Sequence, residues 1–287
     1  MLMALFYFLR GLAAVLFLFL SVMALNAFQM LSLLFIPFSK KLVWWMNRIA
    51  CGTWYRLLCH TLQYWLGIQI LQSGDELPAK EQVFLIANHQ SMSDVPAVLE
   101  LARRCKRVQD TKWFVKDPIK WVPGIGWGML FLDTLYVKRN WMADKEKVTA
   151  TFRRLRENKH PFWVMSFLEG TRSTPAKILR SQEYAKKAGL PVLTHVQLPR
   201  TKGFEATLDG IEGLYAAIYD VTIGYEGEAP SLTKLFFQSV PRIHLHVKRY
   251  PAANIPKEAK ARADWAVQRF VEKDKLLAQF KKENRFH

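Results

Sequence analysis

The sequence predicts an α/β protein with a mainly parallel central sheet covered by helices on both faces, preceded by an N-terminal membrane helix. Three observations lead there. From residue 83 to residue 225 short apolar runs alternate with helical patterns, the order that builds a parallel sheet with its crossover helices outside. The chain opens with a 29-residue stretch free of charge, Gly11 to Ser39, where about 20 apolar residues suffice to cross roughly 30 Å of hydrocarbon. Of the 287 residues 51% are apolar, enough to bury one sizeable core.

The first element, within residues 1–40, reads as a membrane-spanning or re-entrant segment that Pro37 ends. A secretory signal peptide is the alternative, but its apolar region usually runs only about 7 to 15 residues. Arg10 precedes the stretch, whereas Lys40, Lys41, Arg48 and Arg56 follow it, which puts the rest of the chain on the cytoplasmic side. Residues 41–75 carry Trp44, Trp45, Trp54, Tyr55, Tyr64 and Trp65 among basic side chains. Rings with basic neighbours favour the headgroup layer, so an interfacial helix is expected, with an ordinary core helix as the alternative.

Gly74 and Pro78 open the globular part, residues 76–287. Strands are expected at Val83 to Ala87, Thr111 to Lys116, Leu135 to Lys138, Phe162 to Leu168, Pro191 to Gln197, Ala217 to Tyr225 and Lys234 to Lys248. Helices are expected at Asp94 to Arg104, Asp144 to Asn158 and Ser181 to Ala188, and Lys257 to Lys282 reads as a closing amphipathic helix.

The net charge is +17, almost all of it after residue 39. Such a balance attracts polyanions, either nucleic acid or an anionic membrane surface, and the apolar amino terminus selects the membrane. Cys51, Cys59 and Cys105 are too few and scattered for a disulfide framework and form no Cys-x-x-Cys, so a reducing compartment is expected.

Two loops carry chemistry. Asn88 and His89 follow the first strand of the globular part, with Asp94 opening the next helix, where Val95-Pro96 fits a helix start. A His can take a proton from a hydroxyl near neutral pH, and an Asp can fix its tautomer and steady the imidazolium. Glu169-Gly170-Thr171-Arg172-Ser173 follows another strand. A guanidinium fork, a hydroxyl and backbone N–H groups on a turn suit a phosphate. Glu169 would repel one, so it is assigned to holding an arginine or a backbone N–H. Ligands of open α/β sheets bind beyond the carboxyl ends of strands, so both loops can share one crevice.

Other features carry less. Gly124-Ile125-Gly126-Trp127-Gly128 lacks the spacing of a nucleotide loop and reads as a turn. His244 and His246 share a strand face with Arg242 and Lys248 and find no third ligand; a solvated or headgroup-facing surface is expected and no metal. A serine hydrolase using Ser91, Ser93 or Ser173 would lack a Gly-x-Ser-x-Gly elbow.

Asn88-His89 with Asp94 resembles the first block of the glycerolipid acyltransferase family, the lysophosphatidate acyltransferases and their relatives. Lys116 through Trp121-Val122-Pro123-Gly124 to Lys138-Arg139 is similar to the second block, Phe167-Leu168-Glu169-Gly170-Thr171-Arg172-Ser173 to the third, and Leu190-Pro191-Val192-Leu193 through Leu198-Pro199-Arg200-Thr201-Lys202-Gly203-Phe204 to the fourth. The fourth block and the tail from Asp264 to Phe280 resemble the branch that includes lysocardiolipin-type enzymes. Leu168 stands where the third block usually has Pro, and Thr194 where many members have a second Pro.

The resemblance implies a glycerol-3-phosphate acyltransferase-like fold, His89 and Asp94 as the catalytic pair, and Lys116, Arg139, Glu169, Gly170, Thr171 and Arg172 around the acceptor's phosphate or glycerol. It implies 1-acylglycerol-3-phosphate as acceptor, acyl-CoA or acyl carrier protein as acyl donor, and no cofactor. Remodelling of another lysophospholipid is the alternative, with a non-catalytic lipid-binding protein a further one. The chain lacks the further membrane segments common in the eukaryotic part of the branch, which favours a compact enzyme of a bacterial inner membrane.

Overall fold

The computed structural model describes residues 2–137, 141–238 and 242–286, without the side chains of 141–145. Two helices come first, α1 (Leu2–Ser32) and α2 (Lys40–His60), and then the sheet units begin. They are β1 (Ile70–Gly74), β2 (Val83–Ala87), α3 (Asp94–Arg104), β3 (Thr111–Lys116), α4 (Ile125–Met129), β4 (Leu135–Val137), α5 (Trp141–Glu157), β5 (Trp163–Phe167) and α6 (Pro175–Ala188). After them come α7 (Thr201–Ile211), β6 (Ala217–Tyr225), α8 (Leu232–Phe237), β7 (Ile243–Pro251) and α9 (Ala259–Glu283).

The seven strands lie in the order β1-β7-β6-β2-β5-β3-β4. All neighbours are parallel except β6 and β7, so the mainly parallel sheet with helices on both faces is found. Side chains alternate across a strand, and β2 shows what each face meets. Val83, Leu85 and Ala87 join Tyr55 and Cys59 of α2 and Val98 and Leu101 of α3 in one core. Phe84 and Ile86 join Phe152 of α5, Phe204 and Leu208 of α7 and Phe270 of α9 in the other. With both faces covered, every residue of β2 is buried, which is why its sequence is an unbroken apolar run.

Helix α1 is the one described helix long and apolar enough to cross a membrane. At 31 residues it is about 46 Å long. Its buried residues, Gly11, Ala14, Leu18, Val22, Asn26, Gln29 and Ser32, recur every three or four positions and form one stripe. The stripe docks on the body along its length: a Cβ on Gly11 would lie 2.4 Å from the Phe236 carbonyl oxygen of α8, and Gln29 Nε2 donates to the Gly128 carbonyl of α4 at 3.2 Å. Polar side chains on an apolar helix are thus spent on the protein, Ser32 Oγ also accepting from Asn47 Nδ2 of α2 at 2.8 Å. The remaining faces expose Leu5, Phe6, Leu9, Leu16, Leu20 and Leu31. α2 has two characters as well, with Cys51, Tyr55 and Cys59 buried in the core and Trp45 half exposed.

Four expectations are corrected. Pro191 to Gln197 is no strand: the N–H groups of Thr194, His195 and Val196 point to the Asp274 carboxylate instead of a neighbouring strand. Lys234 to Lys248 is divided, because Ser231 caps α8, its Oγ accepting from Lys234 N at 3.2 Å, and the strand starts only at Ile243. The His244 face is not a solvated or headgroup surface; α9 covers it, Phe280 standing edge-on to His244 with ring centroids 5.0 Å apart and His244 Nε2 lying 2.9 Å from Glu226. The glycine-rich turn at 124–128 is partly helical, since α4 begins at Ile125.

Candidate active site

Strand register brings the two loops together. β2 and β5 pair in parallel with Ala87 opposite Phe167, so two residues later His89 and Glu169 leave the sheet side by side. The His89 backbone N–H donates to Glu169 Oε1 at 2.8 Å. On the other flank Asn88 extends the pairing with β6: its Oδ1 accepts from Ile223 N at 2.7 Å and its Nδ2 donates to Ile223 O at 3.1 Å.

The His89 ring is held at two points. Its Nδ1 lies 2.8 Å from Asp94 Oδ2, and it is stacked on Phe167, centroids 4.1 Å apart and planes 12° off parallel. The same Asp94 oxygen accepts from the N–H groups of Gln90 at 2.7 Å and Ser91 at 2.9 Å, and Oδ1 accepts from Tyr225 OH at 2.6 Å. With this many donors converging on it, Asp94 acts as acceptor, so the proton sits on Nδ1 and Nε2 offers its lone pair. Burial, with Asp94 beside it, pushes the Tyr225 phenol well above its ordinary value, keeping it a donor.

Glu169 is 2% exposed and faces inward. It holds backbone N–H groups and, among the described residues, no arginine: besides the His89 N–H on Oε1, its other oxygen accepts from Gln197 N at 3.3 Å, from Gln197 Nε2 at 2.9 Å and from the Ser173 hydroxyl. Burial pushes its carboxyl above the usual range, against the pull of these donors. Gln197 is carried by the 194–196 segment, which α9 secures: Asp274 Oδ1 accepts from Thr194 N at 2.9 Å and His195 N at 2.5 Å. The closing helix therefore reaches the base through Asp274, Gln197 and Glu169.

A cleft of about 1030 Å³ opens at the strand ends, at the upper end of the roughly 300 to 1,000 Å³ typical of ligand pockets. Trp113, Phe114, Val137, Met165, Phe167 and Phe204 form its apolar wall. Lys116, Lys177, Arg180, Arg200 and Lys202 also line it, against a single carboxylate, Glu169, among the described residues. Such a cleft takes an apolar chain and an anion together. The candidate nucleophiles of a hydrolase are otherwise engaged, Ser91 and Ser93 donating to the Pro230 carbonyl and Ser173 to Glu169.

Of the residues singled out from the sequence, His89, Lys116, Glu169, Gly170 and Thr171 line this cleft, with Asp94 behind His89. Arg172 is exposed and its side chain is not part of the wall. Arg139, with Lys138, lies outside the described residues. Among the described residues no cluster of metal-ligating side chains forms. Lys177, Arg180, Gln197 and Tyr225 escaped sequence reasoning, and Arg200 entered it only as a letter of the fourth block; no local pattern aims any of them at the cleft.

Gly170 has φ +69°, and a Cβ there would come 2.7 Å from the Arg200 Cδ and Nε. Gly189 has a similar φ of +65° with open space around it. Gly170→Ala and Gly189→Ala should each lose about 1–2 kcal/mol from the left-handed conformation, read by denaturant unfolding, but only Gly170→Ala should also lose turnover. Equal turnover in the two variants would show that the Arg200 contact has no bearing on the site.

Comparison with known proteins agrees with this geometry. Residues 69–204 match the family model described as acyltransferase, and residues 234–287 match acyltransferase C-terminus. The chain is 34% identical over 266 residues to 1-acyl-sn-glycerol-3-phosphate acyltransferase 2 of Arabidopsis thaliana, covering 90% of this chain and 68% of that protein. It is 32% identical over 270 residues to the human 1-acyl-sn-glycerol-3-phosphate acyltransferase gamma, covering 92% and 72%. In fold it is similar to the crystal structure of the 1-acyl-sn-glycerophosphate acyltransferase PlsC from Thermotoga maritima, with a TM-score of 0.52, 15% identity, and coverage of 92% and 97%.

Fold and site define an acyl-group transferase of the α/β class. The chain belongs to the acyltransferase family, with the family's C-terminal module following its catalytic part.

Proposed function

We propose that the protein moves a fatty acyl group from an acyl thioester to the free 2-hydroxyl of 1-acylglycerol-3-phosphate, producing phosphatidate. The observation that carries this reading is a His–Asp pair opening into a cleft with an apolar wall and a cationic one; the relatives' names supply the substrate class. In this reading His89 Nε2 takes the hydroxyl proton as the oxygen attacks the thioester carbon, and Asp94 steadies the imidazolium. The tetrahedral intermediate expels the thiolate, and His89 returns the proton to it. The donor is acyl-CoA or acyl carrier protein, no cofactor takes part, and Lys116, Arg139, Gly170, Thr171 and the backbone of Arg172 belong to the acceptor's surroundings.

The exposed apolar faces of α1 lie in an anionic membrane, with the catalytic cleft on the cytoplasmic side. The basic residues that follow the apolar stretch support that orientation. A bacterial inner membrane is the setting we favour; the two sequence relatives named above are eukaryotic.

Purified protein in mixed micelles with lysophosphatidate and oleoyl-CoA should release thiol and form phosphatidate in equal amounts. Free fatty acid in place of phosphatidate, or faster acylation of lysophosphatidylglycerol or lysocardiolipin, would refute the assignment.

A further inference from the structure

We propose that Arg200 is the cation that grips the acceptor's phosphate, making this residue of the fourth block a substrate-binding residue. The proposal rests on the reaction assigned above. Its guanidinium lies over the Gly170 backbone, with Nε 2.7 Å and Cζ 3.1 Å from the point a Cβ would occupy. It lines the cleft and pairs with no carboxylate among the described residues. That sets it apart from Arg48, Arg103, Arg104, Arg107, Arg249 and Arg262, each of which is tied to an Asp or Glu. An unneutralised guanidinium fork in a concave wall is the group that matches a phosphomonoester.

The backbone around it is fixed. Arg200 N donates to Leu168 O at 2.8 Å, which joins the start of α7 to the third-block loop, and Gly203 and Thr207 continue the helix. Lys177 Nζ donates to Thr171 Oγ1 at 2.6 Å and to Arg172 O at 2.9 Å, so a second cation backs the same loop. Arg172, by contrast, contributes its carbonyl to this arrangement and keeps its side chain outside the cleft wall.

Proximity selects the acceptor over the donor. In lysophosphatidate the reacting hydroxyl and the phosphate are a few bonds apart, whereas the phosphates of coenzyme A are separated from the thioester by the whole pantetheine arm. Gly170 follows the residue that bonds the His89 backbone, so a cation resting on Gly170 is within reach of the phosphate whose neighbouring hydroxyl meets His89.

The test combines binding and turnover. Equilibrium dialysis of labelled short-chain lysophosphatidate against the full chain in detergent, with Arg200→Gln, Arg200→Lys and Arg172→Gln, needs no catalysis. Losing a charge-assisted pair should weaken binding about 10- to 100-fold in Arg200→Gln, with Arg200→Lys intermediate because a point charge replaces the fork. Turnover should show the same rise in KM for lysophosphatidate with the acyl-CoA KM unchanged, and circular dichroism should match wild type because the Arg200 backbone bond remains. A rise in the acyl-CoA KM alone would move Arg200 to the donor's phosphates and overturn the proposal. So would wild-type binding by Arg200→Gln, no binding by the wild-type chain, or a loss confined to Arg172→Gln. Wild-type binding without phosphatidate formation would instead reject the assigned reaction while leaving the binding result intact.

Discussion

His89→Ala should lower turnover by about 100- to 10,000-fold, the usual contribution of a positioned general base, while leaving the fold and membrane binding intact. The residue's structural roles are carried by its backbone: His89 N bonds Glu169, and its carbonyl accepts from Ser173 N at 2.7 Å. An alanine keeps both. Asp94→Asn should lose activity on a comparable scale for a different reason, since an amide can present N–H where Nδ1, Gln90 N and Ser91 N all expect an acceptor. The His would then be free to hold the wrong tautomer, with its proton on the nitrogen facing the hydroxyl. The two losses should not add, because both remove the same base. Single-turnover rates of phosphatidate formation for both variants and the double variant decide this; independent, multiplying losses would mean that Asp94 acts through something other than His89.

The parts of this architecture that depend on local pattern were legible. β2, α3, β3 and β6 fall at the residues expected because each is a short apolar run or an amphipathic turn bounded by polar or glycine-containing loops. The placement of His89 and Glu169 after parallel strands was legible for the same reason. What remained hidden is held by partners remote in the chain. Pro191 to Gln197 has the composition of a strand, but its donors are taken by Asp274, about 80 residues away. α7 contains Gly203 and Gly210, poor helix formers; Gly210 is accommodated because a Cβ there would lie 2.3 Å from the Phe152 ring, a contact between helices that no local window reveals. The guanidinium groups that line the cleft among the described residues likewise come from Arg180 and Arg200 rather than from Arg172, the arginine on the loop itself. Local pattern identified the loop but not which side chain would rest on it.

The same long-range logic makes Lys273 the position where one substitution should cost most stability. It is completely buried, donates to the Val221 carbonyl at 2.6 Å, and pairs with Asp220. Asp220 lies on β6 opposite Ile86, three residues before His89, so the pair sits beneath the site. Burial pushes the lysine down and the aspartate up from their ordinary ranges, and each is the other's chief compensation. Lys273→Met leaves a buried carboxylate without its cation, a change that typically costs about 3–5 kcal/mol, a large share of the roughly 5–15 kcal/mol that holds a domain folded. Replacing both, Lys273→Met with Asp220→Val, should recover most of that loss, because two apolar groups leave no buried charge unpaired and only the Val221 carbonyl loses a donor. Activity should separate from stability: the helix that carries Lys273 also carries Asp274, so the single variant should lose phosphatidate formation at temperatures where its circular dichroism is still native. Urea midpoints in detergent for the single and double variants, with activity followed in parallel, test both statements. A single variant within about 1 kcal/mol of wild type, well short of the loss expected for an orphaned buried charge, would mean that water or another cation reaches Asp220 and that the pair does not anchor α9.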